Sequence, residues 1–299
     1  MTGRAIILAV LSAWAAAPAS AVTLRYQPPV GATMAYALSV TSDTRSVGAA
    51  NRLRRSAARA RLDGDLTVAK PAKPDQVAFI CRITGGKAAI RIQSALEERP
   101  VRPATERVVM TPRGETLSWD VLAGDTVELE PPVRYVLEPA DLCVFEGYGA
   151  VPDRDLQPGD TWSGFYDEKP AKPDEEPQRI TYRSTLLSVG RFFGRPYARI
   201  VTQYEVAPLP KEGAPKPADQ EPNAVGMTGD VYWGFDTERG MILYYVETMR
   251  TSARLAFDHE DDGFAPTITS RTTLTAHMTA YNGAPLSAPA GQRAGARQD

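Results

Sequence analysis

The sequence has almost no histidine and almost no cysteine, two of each in 299 residues. Two histidines cannot supply a three-histidine metal site, and two cysteines cannot build a zinc ribbon. An excess of charge of one sign is also missing, with 34 basic against 36 acidic residues. The electrostatic signature of a nucleic-acid-binding protein is therefore absent. No Gly-x-Ser-x-Gly or Ser-x-x-Lys motif occurs in a strand–turn–helix setting, so nucleophilic hydrolases of those types are not indicated. What is present is 43% hydrophobic and 23% charged. That is too apolar and varied for a disordered chain and too charged for a multi-span membrane protein. Neither a metal nor a cofactor is expected.

Residues 1–21 read as a secretory signal peptide. Arg4 precedes an apolar run from Ala5 to Ala17, broken by Ser12, and Ala19 and Ala21 are the small residues of a cleavage site. The run falls short of the ~20 residues that span a bilayer, which predicts cleavage between Ala21 and Val22. The mature chain then keeps 278 residues with 33 basic and 36 acidic side chains, a formal charge of −3, because Arg4 is the only charge removed. No later segment is apolar for long enough to cross a membrane as a helix. The expected location is the periplasm or the exterior.

Along the mature chain apolar and polar residues alternate with a period of two, the mark of strands with one buried face. Met34, Tyr36, Leu38 and Val40 alternate with Ala35, Ala37, Ser39 and Thr41, and Ala60, Leu62, Gly64, Leu66 and Val68 with Arg59, Arg61, Asp63, Asp65 and Thr67. Val77, Phe79, Cys81 and Ile83 form an inward row. Gly85-Gly86 is then expected to turn the chain into a second strand, where Ile90 and Ile92 face in. In the second half, Ile180–Val189 and Pro196–Val206 flank a turn at Gly190–Arg195. Met241, Leu243, Tyr245, Met249, Ala253, Leu255 and Phe257 share one face. Ile268, Leu274, Ala276 and Met278 alternate with Thr269, Arg271, Thr273, Thr275 and His277. The expectation is an all-β fold of ten to twelve mostly antiparallel strands with little helix, either a curved half-barrel or a sandwich.

Composition divides the mature chain into a first β module over 22–130, a linker over 131–158, a second β module over 159–282 and a disordered tail over 283–299. Proline and charge mark 168–178 and 208–223 as loops. Within 131–149, Val133, Val136 and Leu137 have the spacing of one helical face, and Pro139 limits any helix there to a turn or two. The two modules look related. Gly31-Ala32-Thr33-Met34 and Gly159-Asp160-Thr161-Trp162 open strands 128 positions apart, and Arg113-Gly114 and Arg239-Gly240 open strands 126 positions apart.

The segments Pro158–Trp162 (PGDTW) and Phe235–Gly240 (FDTERG) carry a resemblance. With them the chain resembles the uncharacterised exported β-rich proteins of bacteria. Its architecture is similar to the curved antiparallel half-barrels of lipoprotein carriers, which hold acyl chains on a concave face. The resemblance implies a fold and no activity, and the chain departs from those carriers in having two repeats and no clear lid helix.

Candidate chemistry is sparse. His259 lies in the acidic turn Asp258–Asp262, and His277 on the threonine-rich face of the last long strand. Both read as solvated positions, and the acidic turn lacks the ligand spacing of a calcium loop. Cys81 and Cys143 are expected to form a disulfide in an oxidising compartment, the alternative being two separately buried thiols. Phe192 and Phe193, beside Arg191 and Arg195, are candidates for a surface contact with a partner or membrane, unless they fold back onto the sheet. No catalytic residue is assigned. The leading expectation is a non-catalytic exported cell-envelope protein that binds a ligand or an envelope protein partner on its sheet surface. The alternative is a periplasmic carrier of a lipid or other apolar molecule in a concave sheet. A carrier predicts an open apolar concavity, and a surface binder predicts a filled core.

Overall fold

A computed structural model of the chain describes residues 21–47, 53–92, 95–124, 127–129, 135–137, 150–168, 177–192, 194–209, 225–254 and 267–286. The described residues form strands and turns, with no helix among them. The first half contributes β1 (Thr33–Val47), β2 (Leu53–Ala69), β3 (Val77–Ile92), β4 (Ala95–Pro100), β5 (Ala104–Met110) and β6 (Thr116–Ala123). A small separate ribbon pairs β7 (Val127–Leu129) with β8 (Tyr135–Leu137). The second half contributes β9 (Thr161–Glu168), β10 (Gln178–Phe192), β11 (Arg195–Pro208), β12 (Val225–Asp236), β13 (Met241–Arg254), β14 (Thr267–Tyr281) and the two-residue β15 (Ala284–Pro285).

Thirteen of these strands make one continuous antiparallel sheet in the order β6-β5-β3-β2-β1-β14-β13-β12-β11-β10-β9, with β4 beside β3 and β15 beside β14. Each half is a meander of antiparallel neighbours joined by short connections, except that β4 and β5 both pair with β3, at different stretches of it. The halves are joined where the first long strand meets the last: β1 pairs β14 from Met34 opposite Tyr281 to Val47 opposite Thr267. The fold is one sheet rather than a sandwich of two.

The period-two pattern decides which face is buried. Met34, Tyr36, Leu38 and Val40 of β1, Ile200 and Tyr204 of β11, and Leu274, Ala276 and Met278 of β14 are all buried in one contiguous cluster. Toward the end of β1 the same face turns polar while staying buried, at Ser42 and Thr44, and Ser56 of β2 and Thr272 of β14 continue the change. Ser42 and Thr272 hydroxyls hydrogen-bond at 2.9 Å. This polar end is called the far end below.

The near end is closed by two segments without regular structure. Val22 and Leu156 exchange backbone hydrogen bonds of 2.9 Å. Tyr26 N–H donates to Pro112 in the β5–β6 turn, and Gln27 N–H to Gly240 in the β12–β13 turn. Arg25 pairs with Asp153, and Thr23 hydrogen-bonds Asp155. Leu24, Tyr26, Val151 and Leu156 are buried by this arrangement, and Tyr26 meets Phe235 edge-on at 5.1 Å. Gly240 has φ +64°, and a Cβ there would collide with the backbone of Arg25 and Gln27. Val151 and Leu156, in the stretch that composition assigns to a linker, are thus part of the packed core.

Several expectations need correction. Gly85-Gly86 does not turn the chain, and β3 runs straight through it. Asp63 faces Gly85 and Gly64 faces Ile83, leaving Thr84 as an extra residue in a bulge, with its hydroxyl donating to the Asp63 carbonyl at 3.0 Å. The bulge switches the buried parity from Cys81 and Ile83 to Ala88 and Ile90. A Cβ on Gly86 would strike Arg61 and Leu62 on the neighbouring strand, which is why a glycine sits there. The helical spacing of Val133, Val136 and Leu137 is overridden where the chain is described, since Tyr135–Leu137 is strand. The turn expected at Gly190–Arg195 is tighter, because β10 reaches Phe192 and β11 starts at Arg195. At the start of the expected tail, Ala284 and Pro285 pair with β14.

The two glycine turns make matching hydrogen bonds. Gly31 N–H donates to Val68 and Gly159 N–H to Leu186. Val68 N–H returns a bond to Ala32, and Leu186 N–H to Asp160. From each turn the chain steps across the sheet in the same sense, β1 to β2 and β9 to β10. The surroundings differ on the other side: β1 pairs with β14, whereas β9 ends the sheet.

Candidate ligand-binding face

Several buried polar groups of the core satisfy one another, whereas the Thr44 hydroxyl has no hydrogen-bond partner among the described residues. Glu247 of β13 takes an inward position that the parity of Tyr245 and Met249 leaves for it. It accepts hydrogen bonds from the Tyr204 and Tyr245 hydroxyls, the latter at 3.0 Å. The Thr202 hydroxyl accepts from Trp233 Nε1 at 3.1 Å and hydrogen-bonds Ser184 at 2.8 Å. Glu106 accepts from Trp119 Nε1 at 2.8 Å. Buried polar side chains engaged in this way specify packing.

Asp236 opens the FDTERG turn and is fully buried. It accepts the backbone N–H groups of Glu238 and Arg239 at 3.0 Å each, with Arg195 at 3.5 Å. Burial pushes its carboxyl above the ordinary aspartate value, against the opposing effect of the Glu238 N–H and of Arg195. Arg239 lies over the Tyr281 ring at 3.8 Å. The carboxylate builds a turn. PGDTW does the same work for β9, where Asp160 accepts from Gln157 N–H at 3.0 Å and from Arg154 at 2.8 Å. These contacts hold the Asp160 carboxyl below its usual range.

The solvent face at the far end is different in kind. Register lines up Arg91 of β3, Ala57 of β2, Asp43 of β1, Arg271 of β14, Arg250 of β13 and Thr228 of β12 in one row. Two residues along each strand lies a second row of Arg55, Arg45, Thr269, Ser252 and Gly226. Together the two rows line a trough of about 960 Å³. Its five arginines are exposed, and Asp43 is the one acid lining it. Arg250 is paired with Asp230 at 3.1 Å. Among the described residues no carboxylate lies within ion-pair distance of the other four arginines. Small side chains form the floor between them, so the guanidinium groups have room to converge on a ligand.

The residues singled out in the sequence fall elsewhere. His277 is exposed on the solvent face of β14, opposite Ala37 and Tyr244, and His259 and the acidic turn around it lie outside the described residues. Phe192 folds back onto the sheet, with ring centroids 5.5 Å from Tyr197 and 5.6 Å from Tyr244. Phe193 lies outside the described residues. Cys81 is buried on the core face of β3, and no cysteine among the described residues is free. Cys143 lies outside them. Sequence reasoning placed Arg271 on a polar face but missed the trough, because its arginines come from five strands and only their register brings them together.

No protein-family model matches the chain, and no curated protein matches it. Among solved structures it is similar to one described as lipid–protein interactions in lipovitellin, with a TM-score of 0.46 and 12% identity. The match covers 89% of this chain and 26% of that one, so this chain spans about a quarter of its length. A likeness of this size says nothing of ligand or activity here. No helix among the described residues is long and apolar enough to cross a membrane.

Proposed function

We propose that the protein is a non-catalytic binding protein of the cell envelope, exported after cleavage between Ala21 and Val22, which takes its ligand on the solvent face of the sheet. One observation carries the reading. The inward face is packed, with Leu38, Val40, Ile200 and Leu274 each at most 4% exposed, while the trough of about 960 Å³ opens on the other face. A carrier of apolar molecules needs its open volume on the apolar side. The test is mass spectrometry of small molecules that remain bound to the protein purified from its native envelope, compared with a Thr269→Trp variant that fills the trough floor. A ligand held by the wild type and lost from the variant is expected. A lipid held equally by both would overturn the reading in favour of the carrier.

Export also implies an oxidising compartment, and we propose that Cys81 bridges Cys143 there. On the chain-entropy argument, closing that loop contributes about 4 kcal/mol. Thiol titration of unreduced, denatured protein should find no free thiol, and two reactive thiols would defeat the bridge.

A further inference from the structure

We infer that the arginine trough is a polyanion site, built for a molecule that carries at least two phosphate groups. The inference rests on the sheet-face reading above and adds the ligand's chemistry to it. Its first support is an arrangement that works against the bare fold. Arg45 stands directly opposite Arg55, and Arg250 directly opposite Arg271. Like charges directly opposite one another in an antiparallel ladder destabilise it. A bound anion between each pair turns that repulsion into attraction.

The second support is charge distribution. Among the described residues, Arg45, Arg55, Arg91, Arg250 and Arg271 face Asp43 in the trough and Asp230 at its side, an excess of three positive charges. The chain from Val22 onward is net negative, with 33 basic and 36 acidic residues. The cationic patch is therefore local and not a reflection of composition. Planar guanidinium forks match phosphate oxygens with two parallel hydrogen bonds, which lysines would not do.

Spacing gives the third support. The two arginine pairs are separated by two strand steps across the sheet and two residues along it, which places their centres about 12 Å apart. A single inorganic phosphate reaches one pair. A ligand with two or more phosphates engages both, with Arg91 available at the β3 side of the trough. Such phosphates could belong to a soluble phosphorylated compound or to a lipid headgroup.

The test uses the full chain and two probes, inositol hexakisphosphate by titration calorimetry and vesicles of phosphatidylcholine with or without cardiolipin, whose headgroup carries two phosphates, by flotation. Three variants are compared with the wild type: Arg45→Ala with Arg55→Ala, Arg250→Ala with Arg271→Ala, and Arg179→Ala, whose partner Asp167 at 2.7 Å lies outside the trough. At least one probe should bind the wild type, and each double substitution should weaken binding about tenfold or more, since several charge-assisted hydrogen bonds are lost. Arg179→Ala should change nothing. Binding of the soluble probe alone assigns a soluble ligand. Arginine-dependent flotation only with cardiolipin assigns a headgroup. Failure of both probes to bind, or binding that both double variants leave intact, would overturn the inference. The Thr269→Trp comparison is independent of charge, so a loss of ligand there with failure here would retire the polyanion and leave the sheet-face reading standing.

Discussion

The near and far ends of the sheet are built on opposite principles. At the near end the inward positions are mostly apolar or aromatic, with Asp236 buried among them, two connecting segments fill the opening, and Tyr26, Phe235 and Trp233 interlock edge to face. At the far end the inward positions become Ser42, Thr44, Ser56 and Thr272, and the outward ones become arginines set against arginines. The close apolar packing lies at one end, and at the other like charges stand opposite one another in the ladder. On the sheet-face reading proposed above, this arrangement separates the task of folding from the task of binding.

The contrast can be broken most forcefully at Phe235, which is fully buried against Tyr26 and Trp233. Phe235→Ala should cost about 3–5 kcal/mol in denaturant unfolding; a loss under 1 kcal/mol would mean that the near end is not the stabilising one. Gly240→Ala should follow, costing more than about 1 kcal/mol, because φ +64° and the backbone of Arg25 and Gln27 leave no room for a Cβ. At the far end the sign should reverse. Arg45→Thr should raise stability by about 0.2–1 kcal/mol as the like-charge pair with Arg55 disappears, and a destabilised variant would show that the arginines serve the fold.

Asp236 sharpens the comparison through pH. Burial holds its folded-state carboxyl above the unfolded value. The stability it contributes is therefore present in full below the unfolded value, near pH 4, and is lost as pH rises through the folded value. Asp236→Asn keeps an acceptor for the two turn N–H groups, so the melting temperature of the variant should gain on the wild type as pH rises from about 4. A wild type that instead gains on the variant as pH rises would mean that Arg195 and Arg239 outweigh burial. The smallest effect belongs to His277→Gln, expected within about 0.5 kcal/mol because the side chain is exposed on a solvated strand face.

Most of the strands were legible in the sequence because burial on one face writes a period of two directly into the residue order. Leu62, Leu66 and Val68 or Leu274, Ala276 and Met278 need no partner to be recognised as inward. Gly85-Gly86 misled because a glycine pair signals a hairpin, whereas a close neighbouring strand and a bulge at Thr84 use the same residue. Glu247 was passed over because a charged residue at an inward position becomes intelligible only when Tyr204, from another strand, is seen to donate to it. The trough could not be read at all. Arg45 and Arg271 are 226 positions apart and acquire a common meaning only through the pairing of β1 with β14.

That pairing also sets a timetable. Val40 waits for Leu274, 234 residues later in the chain, and at roughly 5–20 residues per second of synthesis that interval is on the order of tens of seconds. Throughout it, β1 has β2 on one flank and a bare row of backbone donors and acceptors on the other, fifteen residues long. An open edge of that length is a template for joining another chain. The last long strand is therefore also the seal of the first, and a chain cut short before Thr267 would carry an unsealed edge through the middle of its sheet.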